Sequence, residues 1–274
     1  MIVVDNASKD GTYEFVEEWK KQTGGFKRKA IHNDINLGGA GGFSKGIEEA
    51  MKTDCDFVFL SDDDAIPKED VLEKLLQQYE QMRSQDSVAA LCTRVNDQYG
   101  ISYVHRSMVK KGLFSIRRIS SQEKDYEAPS FDVDLLTFVG ALLKRSTIQR
   151  IGLPITEYFI HEDDAEYSTR IRKIGRIVCV TDSIMTHPFG GNEAKHWIEY
   201  YTTRNYVNYI GRHYSRRYQL YAELEKYIKK CSPFAALFKR RSKNYRKMNK
   251  IAIRDGREGN LGVSEQYKPG QEIG

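Results

Sequence analysis

The sequence predicts an α/β fold, with helices laid on both faces of a sheet. Two observations predict it. Apolar runs of strand length, Phe57–Leu60 and Val88–Cys92 among them, alternate with longer stretches whose apolar residues recur at helical spacing. Turn and capping residues fall between the two kinds of segment, as repeated βαβ units require. At 274 residues the chain is long enough to bury a sizeable core without metal or disulfide staples.

The elements follow in order. Met1–Val4 is apolar and runs into Asp5-Asn6, which reads as a buried strand ending in polar residues. Ser8 to Thr12 supplies turn and cap residues before a helical stripe of Phe15, Val16 and Trp19. Lys29–His32 is a short strand, and Asn36 to Gly42 is a glycine-rich loop entering a helix with Phe43, Ile47, Ala50 and Met51. Phe57–Leu60 is a strand that stops at Ser61-Asp62-Asp63-Asp64. Pro67 suits the first turn of a helix whose stripe is Val71, Leu72, Leu75, Leu76, Tyr79 and Met82. Val88–Cys92 is a strand, and the polar stretch from Gln98 to Ser130 reads as an irregular lobe or loop over the site. Phe138–Leu143 returns to strand, Ser146–Ile151 is a short helix, and Ala165–Ile174 is a helix opened by His161-Glu162-Asp163-Asp164 and stopped at Gly175. Ile177–Val180 is a last strand, and Thr186 to Gly191 is a loop containing His187.

Charge divides the chain. Residues 195–250 hold 15 Lys or Arg against three acids, whereas the whole chain is only +5, so an acidic body carries a basic C-terminal region. Tyrosines from Tyr200 to Tyr227 are interleaved with those bases. Two readings stand: an anionic surface as partner, or a solvated helix face whose tyrosines pack inward. The organisation expected is a catalytic domain over 1–194, a basic aromatic-rich helical region over 195–254 and a flexible tail over 255–274. The longest near-apolar run, Leu135 to Leu143, is about half of the roughly 20 residues a spanning helix needs. No charged-then-apolar leader stands at Met1, and the four scattered cysteines form no CxxC pair. The expectation is a reduced, cytoplasmic protein.

Two acidic clusters carry the chemistry. Asp62, Asp63 and Asp64 stand at the C-terminal end of an apolar strand, the end at which open α/β sheets bind ligands. Three adjacent carboxylates repel one another unless a hard divalent cation is held between them. Alternation along an extended chain lets Asp62 and Asp64 share an ion while Asp63 faces elsewhere. An acidic turn with Asp64 as helix cap is the competing explanation. Glu162, Asp163 and Asp164 stand at a helix start, where acids are favourable in any case and where one can also serve as a general base. His187 is either a core or loop histidine or a further metal ligand. The glycine-rich loop has neither GxGxxG nor Gly-Lys-Ser/Thr spacing, so dinucleotide and P-loop chemistry are not indicated.

Together, Ile2–Ser8, Asn36–Gly42, Leu60–Asp64, Phe138–Ala141 and His161–Asp164 with Arg170 and Gly175 resemble a family 2 glycosyltransferase of the GT-A fold, over Ile2 to Asn205. Asp62-Asp63-Asp64, Asp163-Asp164-Ala165-Glu166-Tyr167, His187 and Tyr200-Tyr201…Arg204-Asn205 look most similar to the galactofuranosyltransferase and rhamnosyltransferase branch. The resemblance implies a mixed sheet flanked by helices. It implies Asp62, Asp64 and His187 as ligands of Mn²⁺ or Mg²⁺, and Asp164 as catalytic base. Asp163 and Glu162 would seat the acceptor, and Asp5, Asn36 and Asp63 would contact the donor. The implied reaction is inverting transfer of a sugar from a nucleoside diphosphate, of the UDP-galactofuranose or dTDP-rhamnose type, to a hydroxyl of a glycan or lipid-linked glycan in cell-wall polysaccharide synthesis.

The same resemblance places a further strand and helix before Met1, so the first strand of the fold is expected to be missing. Peripheral attachment to an anionic inner membrane face is expected through the basic region, no nucleic acid partner is expected, and a homo-oligomer is left open. Two alternatives use the same residues: a glycoside hydrolase or nucleotidyltransferase built on these carboxylates, and a basic nucleic-acid or membrane-binding module without catalysis. Chelation would separate transferase from hydrolase, which needs no metal. Salt-dependent nucleic acid binding would mark the module.

Overall fold

The computed structural model describes residues 1–82, 87–188, 196–233 and 242–271. The chain opens with β1 (Ile2–Asp5), α1 (Thr12–Lys21), β2 (Lys29–His32) and α2 (Gly38–Ala50). β1 and β2 pair in parallel, from Ile2 opposite Lys29 to Asp5 opposite His32, with α1 as the crossover. They form a two-stranded sheet of their own, and β1 has no second partner among the described strands.

Next come β3 (Phe57–Leu60), β4 (Ile66–Pro67), α3 (Val71–Gln81) and β5 (Val88–Asp97). β6 (Gly100–Ile101), β7 (Arg106–Lys111), β8 (Ile116–Ser120), β9 (Ser130–Val133), β10 (Leu135–Leu136), β11 (Ala141–Lys144), α4 (Arg145–Ile151), α5 (Asp163–Arg172) and β12 (Arg176–Thr186) complete the body. The main sheet runs β3-β11-β5-β12-β4. β12 lies parallel to β5, but β11 is antiparallel to both β3 and β5. The mixed sheet that the resemblance implies is borne out, whereas the alternation of strands and helices alone suggests parallel βαβ units. The reason lies in the connection: the chain reaches β11 from β5 through hairpins, without the helical crossover that parallel pairing needs.

Those hairpins also correct the reading of residues 98–130 as irregular. β7 and β8 pair from Ser107 opposite Ser120 to Lys111 opposite Ile116, with β10 on the other side of β7. Their outer faces are polar, so the apolar alternation that marks a strand is faint. Two boundaries also move. Pro67 belongs to β4, paired with Met185, and the helix starts only at Val71. The strand expected from Phe138 begins at Ala141, because Gly140 takes a left-handed φ of 70° against Thr93.

Both faces of the sheet are buried. Ile177 and Cys179 of β12 join Ile47, Leu143, Tyr167 and Ile171, while Val178 and Val180 join Leu75, Leu91 and Leu142. This two-residue alternation places α2 and α5 on one face and α3 on the other. The C-terminal part is helical: α6 (His196–His213), α7 (Arg216–Lys226), continued by a π-helical turn over Tyr227–Cys231, and α8 (Lys243–Glu258). Tyr200, Tyr201, Tyr209, Tyr218 and Tyr245 are buried, so the interleaved aromatics are mainly packing. The tail expected to be flexible from residue 255 instead stays helical to Glu258, and Tyr267 packs into the Tyr200–Tyr201 cluster.

Candidate active site

The first acidic cluster is shaped by sheet ends. β3 buries Val58 and Leu60, and the chain leaves the sheet where the carboxylates begin. Antiparallel pairing of β4 with Met185–Thr186 then folds this turn back onto the end of β12. There the His187 backbone N–H donates to the Asn96 carbonyl at 2.8 Å, which anchors the main chain from which the imidazole projects. Its Nε2 lies 3.1 Å from Asp64 Oδ1 and 4.0 Å from Asp62 Oδ2, and ligand atoms of all three residues fall within 4.8 Å of one another. His105, held by Thr137 Oγ1 at 2.9 Å, packs edge-on against the His187 ring. Burial, reinforced by Asp64, pushes the Asp62 carboxyl up, against the pull of His187. A carboxyl pushed up beside a second carboxylate, with an imidazole nitrogen in reach, fits a divalent cation. Asp63 is exposed and stands outside the cluster.

The second cluster sits on strained backbone. Phe159, His161 and Glu162 have φ of 67°, 64° and 69°, and each non-glycine residue in that region costs about 1–3 kcal/mol. Neighbouring elements hold them there. Asn205 of α6 donates from Nδ2 to the carbonyls of Tyr158, Ile160 and His161 at 2.9, 2.8 and 3.0 Å. Arg204 reaches the Glu157 and Tyr158 carbonyls at 3.2 and 3.3 Å. The turn delivers Asp163 and Asp164 to the first turn of α5, where Asp164 Oδ1 accepts from the Ala165 N–H at 2.6 Å.

Glu162 is buried in an ion pair with Arg118 of β8, whose guanidinium also lies over the Tyr209 ring. Burial pushes the Asp163 and Asp164 carboxyls up. Asp164 raises Asp163 further, whereas Arg118 pulls Asp164 back down, and Asp62 adds to the rise at Asp164. Arg118 thus favours the charged form at Asp164, and Asp163 keeps its proton more readily.

The remaining predicted residues line the first parallel pair. Asp5 is buried at the end of β1 and accepts from the Ser8 N–H at 3.1 Å, with His32 Nδ1 at 3.2 Å. Burial works to raise Asp5, but hydrogen bonds from Ser8 and His32 outweigh it, so this carboxylate stays below its usual range. Asn36 is exposed and its Oδ1 accepts from the Gly38 N–H at 2.8 Å, so it shapes the glycine loop from within. Asn6, Arg118 and Asn205 were assigned no role from sequence. Asn6 donates to the Gly38 carbonyl at 2.8 Å and accepts from Asn33 at 2.9 Å. Its place at a strand end was the one local signal.

A mixed sheet with two acidic clusters at its strand ends and helix mouth defines a GT-A glycosyltransferase fold, and solved structures agree. GalNAc-T7 with UDP, GalNAc and Mn²⁺ superposes with a TM-score of 0.60 at 12% identity, covering 94% of this chain and 49% of that one. Staphylococcus aureus TarS 1-349 in complex with UDP gives 0.50 at 13%, covering 99% and 88%. The glycosyl transferase family 2 model matches residues 1–152, more than half of the sequence, and the chain belongs to that family. Asp62 and Asp64 lie inside the match, Glu162–Asp164 and His187 beyond it.

Among characterised relatives, the galactofuranosyltransferase GlfT1 of Mycolicibacterium smegmatis is 29% identical over 163 residues, 58% of this chain and 53% of that protein. Galactofuranosyltransferase GlfT2 of the same organism is 26% identical over 199 residues, 65% of this chain and 30% of that one. The chain spans about half the length of the first of these relatives, and less of the second.

Proposed function

We propose that this chain transfers a sugar from a nucleoside diphosphate donor to an acceptor hydroxyl with inversion, using Asp164 as base. The convergence of Asp62, Asp64 and His187 within 4.8 Å is the observation that carries the reading. Mn²⁺ or Mg²⁺ held there would neutralise charge on the departing diphosphate. Asp5, on the buried side of β1, and the Asn36–Gly38 loop offer polar groups to the nucleotide end of the donor. Asp164, the member of its pair that Arg118 favours as a carboxylate, takes the acceptor proton as the hydroxyl attacks. Asp163 and Glu162 border the acceptor position. One base and no second nucleophile give a single displacement, hence inversion.

The names of the relatives support UDP-galactofuranose over a dTDP-rhamnose donor, and UDP in the TarS complex supports a uridine nucleotide. The acceptor we propose is a glycan or lipid-linked glycan at the cytoplasmic membrane face. On α7 and its π-helical turn, Leu220, Leu224, Tyr227 and Ile228 are exposed at spacings of four, three and one, between Arg216–Arg217 and Lys229. An apolar stripe with basic flanks is what an interfacial helix presents to anionic lipid. No helix among the described residues is long and apolar enough to cross a membrane.

The test is a sugar-nucleotide panel scored by thermal shift with and without Mn²⁺, since a bound donor stabilises the folded chain. Metal-dependent stabilisation by one UDP-sugar, followed by its transfer to a hydroxyl acceptor, supports the reading. Turnover unaffected by EDTA would sink it in favour of a hydrolase.

A further inference from the structure

Lys226 ends α7 where, among the described residues, the carboxylates that act on it most strongly are already committed. These are Glu162, Glu225 and Glu199. Glu162 pairs with Arg118, Glu199 with Lys230, and Glu225 with Lys229 at 2.5 Å. Four cations thus face three acids, and Lys226 is the one left over. Among the described residues its ammonium makes no hydrogen bond or ion pair. Its Nζ lies 4.2 Å from the centre of the Tyr206 ring, and the same ring carries the Arg118 guanidinium at 6.0 Å. Burial, helped by Lys230, pulls the Lys226 amine down to about 8, which is the mark of an ammonium short of an anion.

We propose that Lys226, with Arg118 and Tyr206 beside it, binds a phosphate group carried by the acceptor. The proposal rests on the reading of Asp164 as base, because it is the place of Lys226 that selects the acceptor. Arg118 is tied to Glu162, two residues before Asp164, so an anion held beside Tyr206 lies on the side of the site where the attacking hydroxyl is proposed to sit. An ammonium is a point charge with three rotatable donors, which suits a tetrahedral phosphate. The outer face of α7 and its π-helical turn carries the exposed Leu220, Leu224 and Ile228, so one helical segment would border both the phosphate and the lipid that bears it.

Octyl phosphate and octyl glucoside serve as charged and neutral probes, titrated calorimetrically in EDTA so that no cation at the aspartates can bind phosphate. The expected result is octyl phosphate binding that weakens about tenfold or more in Lys226→Met and recovers in Lys226→Arg, with octyl glucoside unchanged. Equal binding of octyl phosphate by the folded wild type and Lys226→Met would overturn the proposal. So would a Lys226→Met defect seen only in sedimentation with phosphatidylglycerol vesicles, which would assign the lysine to a headgroup. Asp164→Asn should bind octyl phosphate normally. If that variant also transfers sugar normally, the base assignment fails while the phosphate result is judged by its own titration.

Discussion

Gly38 and Phe159 meet backbone to backbone. A Cβ on Gly38 would lie 2.0 Å from the Phe159 carbonyl oxygen, the same oxygen that accepts the Ala40 N–H at 3.2 Å. Both residues are left-handed, at φ 69° and 67°. The contact ties the glycine loop on the donor side to the turn that presents Asp164. Gly38→Ala should therefore cost about 2–5 kcal/mol, combining the left-handed penalty with overpacking. In a chain of this size that is a fall in Tm on the order of 10 °C by calorimetry. A Tm within about 1 °C of wild type would show that the two segments yield easily.

Asn205 is the other restraint on that turn. Its side-chain amide faces three carbonyls, so a carboxylate there would confront them with no proton to share. Asn205→Ala should lose about 1–3 kcal/mol in urea unfolding, and Asn205→Asp more. In the folded fraction, kcat should fall while the donor Kd holds. Equal tolerance of Ala and Asp would mean that the three contacts do not restrain the turn.

Asp164→Asn keeps the shape of the site and removes the proposed base. Transfer should fall about 10²–10⁴-fold with donor affinity intact. Because the Asp164 carboxyl is raised, its base form is lost as pH drops through a value above the ordinary carboxylate range. The acid limb of kcat should lie there, and Arg118→Met, which removes the opposing charge, should move the limb to higher pH. A limb that stays put in Arg118→Met would detach Arg118 from the base.

Asp163 gives the complementary stability effect. Its folded-state pKa is raised, so the folded state binds the proton more tightly than the unfolded chain does. The resulting cost is fully present above the folded pKa and disappears as pH falls below the unfolded one. Asp163→Asn should raise Tm at pH 8 and change it little at pH 4. A stabilisation independent of pH would contradict that origin.

Removal of the proposed cation should act through one cluster. EDTA should stop transfer and Mn²⁺ or Mg²⁺ restore it, while Mn²⁺ should raise the Tm of wild type but not of Asp64→Asn or His187→Ala. Asp63→Asn, outside the cluster, should keep the Mn²⁺ response. Loss of the response in Asp63→Asn alone would reassign the ligands.

Features that are local in the chain were legible in the sequence. An apolar run closed by Asp62–Asp64, and acids opening a helix at Asp163–Asp164, state their own secondary structure through side-chain period and capping. The alternation of such segments was enough to name an α/β body. What folding alone decided lies in partners far apart along the chain. Arg118 meets Glu162 across 44 residues, and Asn205 reaches the Tyr158–His161 carbonyls across 44 to 47. No spacing rule joins such positions, because only packing of β8 and α6 against the turn brings them together. The antiparallel course of β11 and the approach of His187 to Asp64 leave no periodic trace either; in the sequence only the resemblance pointed to them, and strand pairing is what produces them. The tyrosines from Tyr200 onward fitted a surface or a core equally well in sequence; packing of α6 against α8 buries Tyr200 and Tyr201, packing around Ile116 buries Tyr209 and Tyr218, and Tyr227 stays exposed.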